Sequence, residues 1–360
     1  LEKLLSSLIQ VKSMSGQEKE LAYLIRDELS SMGVDQSWID KVGNVIAKVS
    51  GHSDSTIVFD GHMDTVPAGE GWSHDPFSGK SMDGHIYGRG SVDMKGGIAA
   101  MLHSIKQLKE VEPTIYYAFV VHEEDQEGFG ISHFLSTLRR KPSLVVLGEP
   151  TSLKLAIGHR GRAEIVVTIR GRAAHSSMPD LGDNCLYHIC DFLKTLAKTE
   201  LPYHPSLGRA SIAPVSVRCS PGIVPVIPDK CEVLLDRRVV LGESKQSILG
   251  GLPNAKIVKR RILCYTGFEE EVEAWFPAWL NESPLVRELS RVLGVDTMVW
   301  RFGTDGSYTA GVEGIFTIGY GPGDPEMAHR ANEMISIKEV KKAVEGYVKI
   351  IKWAPSLQPL

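Results

Sequence analysis

Thr56-Ile57-Val58-Phe59 runs straight into Asp60-Gly61-His62-Met63-Asp64. The first four residues are almost wholly apolar, and β-branched or aromatic side chains dominate. That reads as a strand buried on both faces, which is how strands look inside a sheet covered on each side. A histidine and a carboxylate come directly beyond its end.

The same pattern recurs along the chain. Residues 115–121 form a second apolar strand, which ends at His122-Glu123-Glu124-Asp125, and residues 144–147 form a third, which ends at Gly148-Glu149-Pro150. Helical periodicity lies around them. Leu21, Leu24, Ile25 and Leu29 share one face of a helix over residues 17–32, and residues 98–108 read as a helix whose early alanines suit close packing on a sheet. Strands that alternate with helices and end in polar residues predict an α/β fold. Its sheet should be mostly parallel, with a site at the carboxyl edge.

The texture changes after about residue 160. Residues 163–170, 212–219 and 231–240 read as strands, and residues 184–196 and 245–249 as helices. This predicts a small α+β domain, residues 163–273, inserted into a catalytic domain built from residues 1–162 and 274–360. A helix over residues 284–293, a strand over 314–318 and a closing helix over 337–350 would complete the catalytic part.

Composition narrows the function. The chain has 360 residues, 42% hydrophobic and 23% charged, with 44 acidic against 40 basic residues and a formal net charge of −4. A core of that size supports more than one domain. The charge argues against non-specific nucleic-acid binding, which needs a positive field. Five cysteines (Cys185, Cys190, Cys219, Cys231, Cys264) show no CxxC spacing, so buried free thiols in a reducing compartment are the expectation. The opening Leu1-Glu2-Lys3-Leu4-Leu5 lacks the apolar core of a signal peptide, and no stretch approaches the roughly 18 apolar residues of a membrane span. A cytoplasmic protein without membrane contact is expected.

His62, Asp64, Asp93, Glu123, Glu124, Glu149 and His329 form a dispersed array of imidazoles and carboxylates with no cysteine. Such hard ligands suit a catalytic Zn²⁺, Co²⁺ or Mn²⁺ site. Two cations roughly 3.5–4 Å apart require one carboxylate that bridges them. Adjacent residues at a strand end point in different directions. One of Glu123 and Glu124 could therefore ligate while the other faces the attacking water. His62-Met63-Asp64 can hold a histidine by its second ring nitrogen. Each member alone is also ordinary turn chemistry, and only the ensemble carries the reading.

Gly61-His62-Met63-Asp64-Thr65-Val66-Pro67, Gly88-Arg89-Gly90-Ser91-Val92-Asp93-Met94-Lys95-Gly96-Gly97, His122-Glu123-Glu124, Gly148-Glu149-Pro150 and Ala328-His329 occur in an order that resembles the M20-type metallopeptidases. That group includes acetylornithine deacetylase, succinyl-diaminopimelate desuccinylase, carboxypeptidase G2 and aminoacylase-1. The resemblance implies two metal ions, commonly zinc, with cobalt or manganese able to substitute. Asp93 would bridge them, His62 and Glu149 would complete one site, and Glu124 and His329 the other. It implies that Asp64 orients His62, that Glu123 is the general base, and that the Asp93–Met94 peptide bond is cis.

The inserted segment resembles the family's lid and dimerisation domain through Gly171-Arg172-Ala173-Ala174-His175-Ser176-Ser177-Met178-Pro179. By that resemblance His175 acts on the oxyanion in the partner's active site of a homodimer. Arg238, in Asp236-Arg237-Arg238, would clamp the substrate carboxylate. Asn184, Gly303 and Thr304 would lie beside the substrate. Arg330-Ala331 departs mildly from the family's small-residue variants, which bears on substrate more than on metal.

The reaction expected is metal-assisted amide hydrolysis of an N-acyl amino acid, as in the acetylornithine or succinyl-diaminopimelate enzymes. A di- or tripeptidase or carboxypeptidase is the alternative. A non-catalytic scaffold is disfavoured by the intact Glu123 and ligand array. A dinucleotide enzyme is disfavoured because Gly88-Arg89-Gly90 lacks the GxGxxG context.

Overall fold

Residues 1–108 and 110–357 are described by a computed structural model. The chain divides into two compact units. One comprises Leu1–His159, Ile262–Glu270 and Trp279–Leu360, and the other Arg160–Arg261 and Glu271–Ala278. The borders differ from the 163–273 insertion read in the sequence: residues 262–270 pack in the first unit.

The first unit is a mixed α/β fold around a nine-stranded sheet. Its centre is parallel, with Thr114–Val120, Thr56–His62, Leu144–Leu147 and Thr317–Gly319 side by side in that order. Antiparallel strands flank this centre, Gln36–Ile39 and Val45–Val49 on one side and Leu155–His159 on the other. Phe59, Val58, Tyr117, Ala118, Val145 and Val146 are fully buried, which explains the near-continuous apolar runs. Among the described residues no helix is long and apolar enough to cross a membrane.

The helix Gly96–Ile105 lies close on this sheet. A Cβ at Gly97 would stand 2.3 Å from the carbonyl oxygen of Gly148, so glycine there lets the backbones meet. This close approach brings the turn that carries Asp93 to the end of the strand that leads into Glu149. The closing helix runs Ile337–Trp353, slightly beyond its expected limit, and the last central strand is Thr317–Gly319 rather than residues 314–318.

The second unit is built on a five-stranded sheet. Strand Lys230–Val239 lies between Ser211–Ser220 and Gly161–Arg170, antiparallel to both. Alternate residues of Lys230–Val239 are buried, with Cys231, Val233, Leu235 and Arg237 inside. The helix Cys185–Leu196 belongs to the same unit.

Register corrects the cysteine expectation. Cys219 and Cys231 stand opposite each other on antiparallel strands and form a disulfide. Sequence spacing carries no sign of this, because the hairpin register creates the pair. Of the remaining thiols, Cys185 and Cys264 are buried but Cys190 is exposed.

Candidate metal centre

Three neighbouring parallel strands deliver the first residues of the site. His62 ends Thr56–His62, Glu123 and Glu124 come after Thr114–Val120, and Glu149 comes after Leu144–Leu147. Asp93 comes from the turn before the helix Gly96–Ile105, at a cis Asp93–Met94 bond. His329 comes from a loop beyond the last central strand and takes a positive φ of 64°.

Asp93 is the shared member. Its Oδ1 lies 2.9 Å from His62 Nε2 and its Oδ2 lies 3.2 Å from His329 Nε2. Glu149 Oε1 is 3.5 Å from His62 Nε2, and Glu124 Oε2 is 3.0 Å from His329 Nε2. The ligand atoms therefore form two groups, His62–Asp93–Glu149 and Asp93–Glu124–His329, each gathered within 4.8 Å.

The electrostatics show what this cluster demands. Burial pushes Glu149 well above the carboxylate range, with Asp93 and Glu124 adding to the rise and His62 opposing it. Burial also pushes Asp93 up, but hydrogen bonds from His329 and His62 outweigh it and hold the group low. His329 is raised to about 10, chiefly by its hydrogen bonds to Asp93 and Glu124. Burial works against protonation of His62, yet Glu149, Asp64 and Asp93 lift it well above the usual imidazole range. The surrounding carboxylates thus draw both imidazoles toward their positively charged forms. Two divalent cations on the same nitrogen and oxygen atoms would supply that positive charge more fully, so the donor set fits them.

Tautomer and orientation are fixed from behind. His62 Nδ1 donates to the main-chain carbonyl of Asp64 at 2.8 Å, which leaves Nε2 as the ligating atom. The Asp64 carboxylate is farther away, 3.6 Å from Nδ1. It accepts instead from Glu123 N and Glu124 N, each at 3.1 Å, and from Ser15 Oγ at 2.7 Å. The brace expected between the Asp64 side chain and His62 is thus made mainly by the Asp64 backbone, while its side chain holds the Glu123-Glu124 turn.

Glu123 is buried, and among the described residues nothing hydrogen-bonds its Oε1. Burial pushes its carboxyl well above the usual range. His62 opposes the rise, and Glu149, Asp305 and Glu124 reinforce it.

Several supporting residues are not marked in the sequence. Buried Glu333 accepts Val92 N at 2.8 Å and Asp93 N at 3.2 Å through one oxygen, and Gly90 N and Arg89 Nη1 through the other. It thereby fixes the turn that aims Asp93. Asp60 is buried and pushed well up by that burial and by the nearby charge of Asp305. The nearest signal is the Asn332-Glu333 segment after His329, whose spacing says nothing of what the carboxylate holds.

The substrate-side candidates fall into two sets. In the first unit, Gly303 lies against the Glu127 carboxylate, where a Cβ would clash at 2.2 Å. Thr304 is fully buried, with its N–H and hydroxyl on His159 Nε2 at 3.1 and 2.9 Å. In the second unit, His175 Nδ1 accepts from Ser177 N and lies 2.7 Å from Ser177 Oγ. Asn184 caps the helix Cys185–Leu196 by accepting from Leu186 N. Arg238 pairs with Asp236 through Nε and Nη2, at 2.9 and 3.0 Å.

Residues 58–353 match the family described as Peptidase family M20/M25/M40. The chain is 30% identical to the uncharacterized protein YgeY of Escherichia coli (strain K12), covering 92% of this chain and 89% of that protein. It is 31% identical to the putative LysW-lysine/LysW-ornithine hydrolase of Pyrobaculum aerophilum, covering 95% of this chain and 94% of that one. Among solved structures, it resembles an M20 family metallo-carboxypeptidase from Sulfolobus solfataricus, with a TM-score of 0.73, 17% identity and 98% of both chains covered.

Proposed function

The chain belongs to peptidase family M20/M25/M40, a family of metal-dependent hydrolases, and from that premise we propose that it hydrolyses the amide bond of N-acyl amino acids. The observation that carries this reading is Asp93. Its two oxygens address separate histidines, each with a further carboxylate beside it. His62, Asp93 and Glu149 would hold one divalent ion, and Asp93, Glu124 and His329 the second, with zinc the first choice. Bound there, the ions would supply Lewis-acid polarisation of the scissile carbonyl and lower the pKa of the attacking water.

Glu123 is the general base. It takes a proton from the attacking water at a carboxylate oxygen and returns it to the leaving amine. Burial raises its carboxyl above the usual range, which favours capture of the proton. Asp64 fixes Glu123 through its backbone N–H. We assign the tetrahedral oxyanion to His175 of the partner subunit in a homodimer formed through the second unit. The acceptor contact at Nδ1 leaves Nε2–H as the donor. Arg238 takes the substrate's carboxylate by its planar fork. Asn184, Gly303 and Thr304 stay with the substrate side, Thr304 through the loop it anchors on His159.

The relative from Pyrobaculum, named a putative LysW-lysine/LysW-ornithine hydrolase, supports hydrolytic release of an amino acid. The Sulfolobus metallo-carboxypeptidase keeps peptide cleavage as the second reading. Acetyl- and succinyl-amino acids assayed beside dipeptides, with zinc or cobalt added, separate the two. Efficient dipeptide cleavage without deacylation would overturn the first.

A further inference from the structure

Arg89 and Glu333 form a buried ion pair in the first unit, with Arg89 Nη1 lying 2.6 Å from Glu333 Oε2. Each stands four residues from a proposed ligand, Arg89 before Asp93 and Glu333 after His329. Their side chains cross. Glu333 accepts the Asp93 N–H at 3.2 Å, and Arg89 Nη2 donates to the His329 carbonyl at 3.2 Å. The backbone of each ligand is thus held by a residue from the other ligand's segment. The same guanidinium gathers the loops around it. Nη1 reaches the Arg330 carbonyl at 3.4 Å, and Nη2 reaches the Ala68 carbonyl at 3.2 Å. The Trp72 ring centroid lies 5.3 Å from Arg89 Cζ, and Trp72 Nε1 donates to that same Ala68 carbonyl at 2.8 Å.

The two histidines of the centre depend on such a contact to different degrees. The His62 ring is buried and held through Nδ1 by the Asp64 carbonyl. The His329 side chain is 51% exposed, and among the described residues nothing hydrogen-bonds its Nδ1. Its main chain takes a positive φ of 64°, a conformation uncommon for a residue with a side chain and kept where the surroundings determine it. The aim of the His329 ring therefore comes from its backbone, and Arg89 pins that backbone at the carbonyl.

We propose that Arg89 is a positioning residue for the ion held by Asp93, Glu124 and His329, and that it sets the affinity for that ion without setting the affinity for the ion held by His62, Asp93 and Glu149. This rests on the reading of the cluster as a two-ion centre. Without Arg89 the incoming cation has to order His329 itself, and the lost preorganisation appears as weaker binding. Arg89→Lys isolates the role. Its ammonium still neutralises Glu333, but a point charge on a flexible stem does not reproduce a planar fork that serves Glu333 and three carbonyls.

Zinc affinity of the full-length protein, titrated against a competing chelator, is the test. Glu149→Ala leaves the Asp93–Glu124–His329 group intact, and Glu124→Ala leaves the His62–Asp93–Glu149 group intact. Adding Arg89→Lys should weaken the remaining ion about 10–100-fold in Glu149→Ala, the usual effect of losing a contact that orients a ligand, and less than about threefold in Glu124→Ala. Zinc retained in the Glu124→Ala background shows that the arginine variant is folded. Unchanged affinity in Glu149→Ala, or equal weakening in both backgrounds, would overturn the proposal. A wild-type protein that takes up no zinc would overturn the two-ion reading and the proposal with it. The expected pattern, in a wild-type protein that turns over no acyl amino acid or peptide, would support the role of Arg89 and overturn the amide-hydrolase reading alone.

Discussion

One carboxylate oxygen of Asp64 accepts the main-chain N–H of Glu123 at 3.1 Å, and the other accepts that of Glu124 at the same distance. A single buried side chain thus sets the position of two adjacent glutamates assigned different roles. The Asp64 backbone carbonyl meanwhile holds His62. Asp64→Asn keeps the shape but offers only one carbonyl oxygen to two N–H donors. It should lower stability by about 1–3 kcal/mol, the cost of one orphaned buried donor, and reduce kcat more than it raises KM. Urea unfolding and steady-state kinetics check both effects, and an unchanged kcat would remove Asp64 from the account.

Glu123→Gln removes the base but preserves volume. The variant should bind the same amount of metal as wild type and lose at least about 100-fold in kcat, the usual contribution of a positioned base. Retained turnover with full metal content would end the assignment.

Cations should stabilise the fold as well as serve the reaction. Asp93, Glu124 and Glu149 crowd into one buried place, and a ligand that binds only the folded state shifts unfolding upward. Added zinc should raise Tm in the wild-type protein, and a chelator should reverse the rise. In Asp93→Asn, zinc should leave Tm nearly unmoved. Scanning calorimetry reads this without any substrate.

Glu18 gives a pH signature outside the proposed ligands. It is fully buried, accepts from Gly16 N and His122 N, and is raised from 4.5 to about 7 by burial first and Asp64 second. A carboxyl raised in the folded state binds protons more tightly there than in the unfolded chain. Its contribution is present below about pH 4.5 and is lost as pH rises to about 7. Glu18→Gln should flatten that stretch of the stability profile. An identical profile in the variant would show that Glu18 titrates normally.

Much of the centre is legible in the sequence because the fold advertises its strand ends. A run such as residues 56–59 can only be an interior strand, and the residues just beyond it must appear at the sheet's edge. That rule, together with the family motifs, locates His62, Glu123, Glu124 and Glu149. The features that stay hidden depend on tertiary packing. Glu333 braces the Asp93 turn across a sequence separation of 240 residues, and no local pattern marks it. The Cys219–Cys231 disulfide arises from hairpin register. The return of residues 262–270 to the first unit leaves no composition boundary to read.

The central claim is that Asp93 serves two cations at once. Metal content of the zinc-reconstituted protein, measured by mass spectrometry after removal of free metal, tests it most directly. Wild type should hold two ions per chain, Glu149→Ala and Glu124→Ala about one each, and Asp93→Ala close to none. Two ions retained in Asp93→Ala, or a single ion in the wild-type protein that is lost only with Glu124, would contradict the shared site.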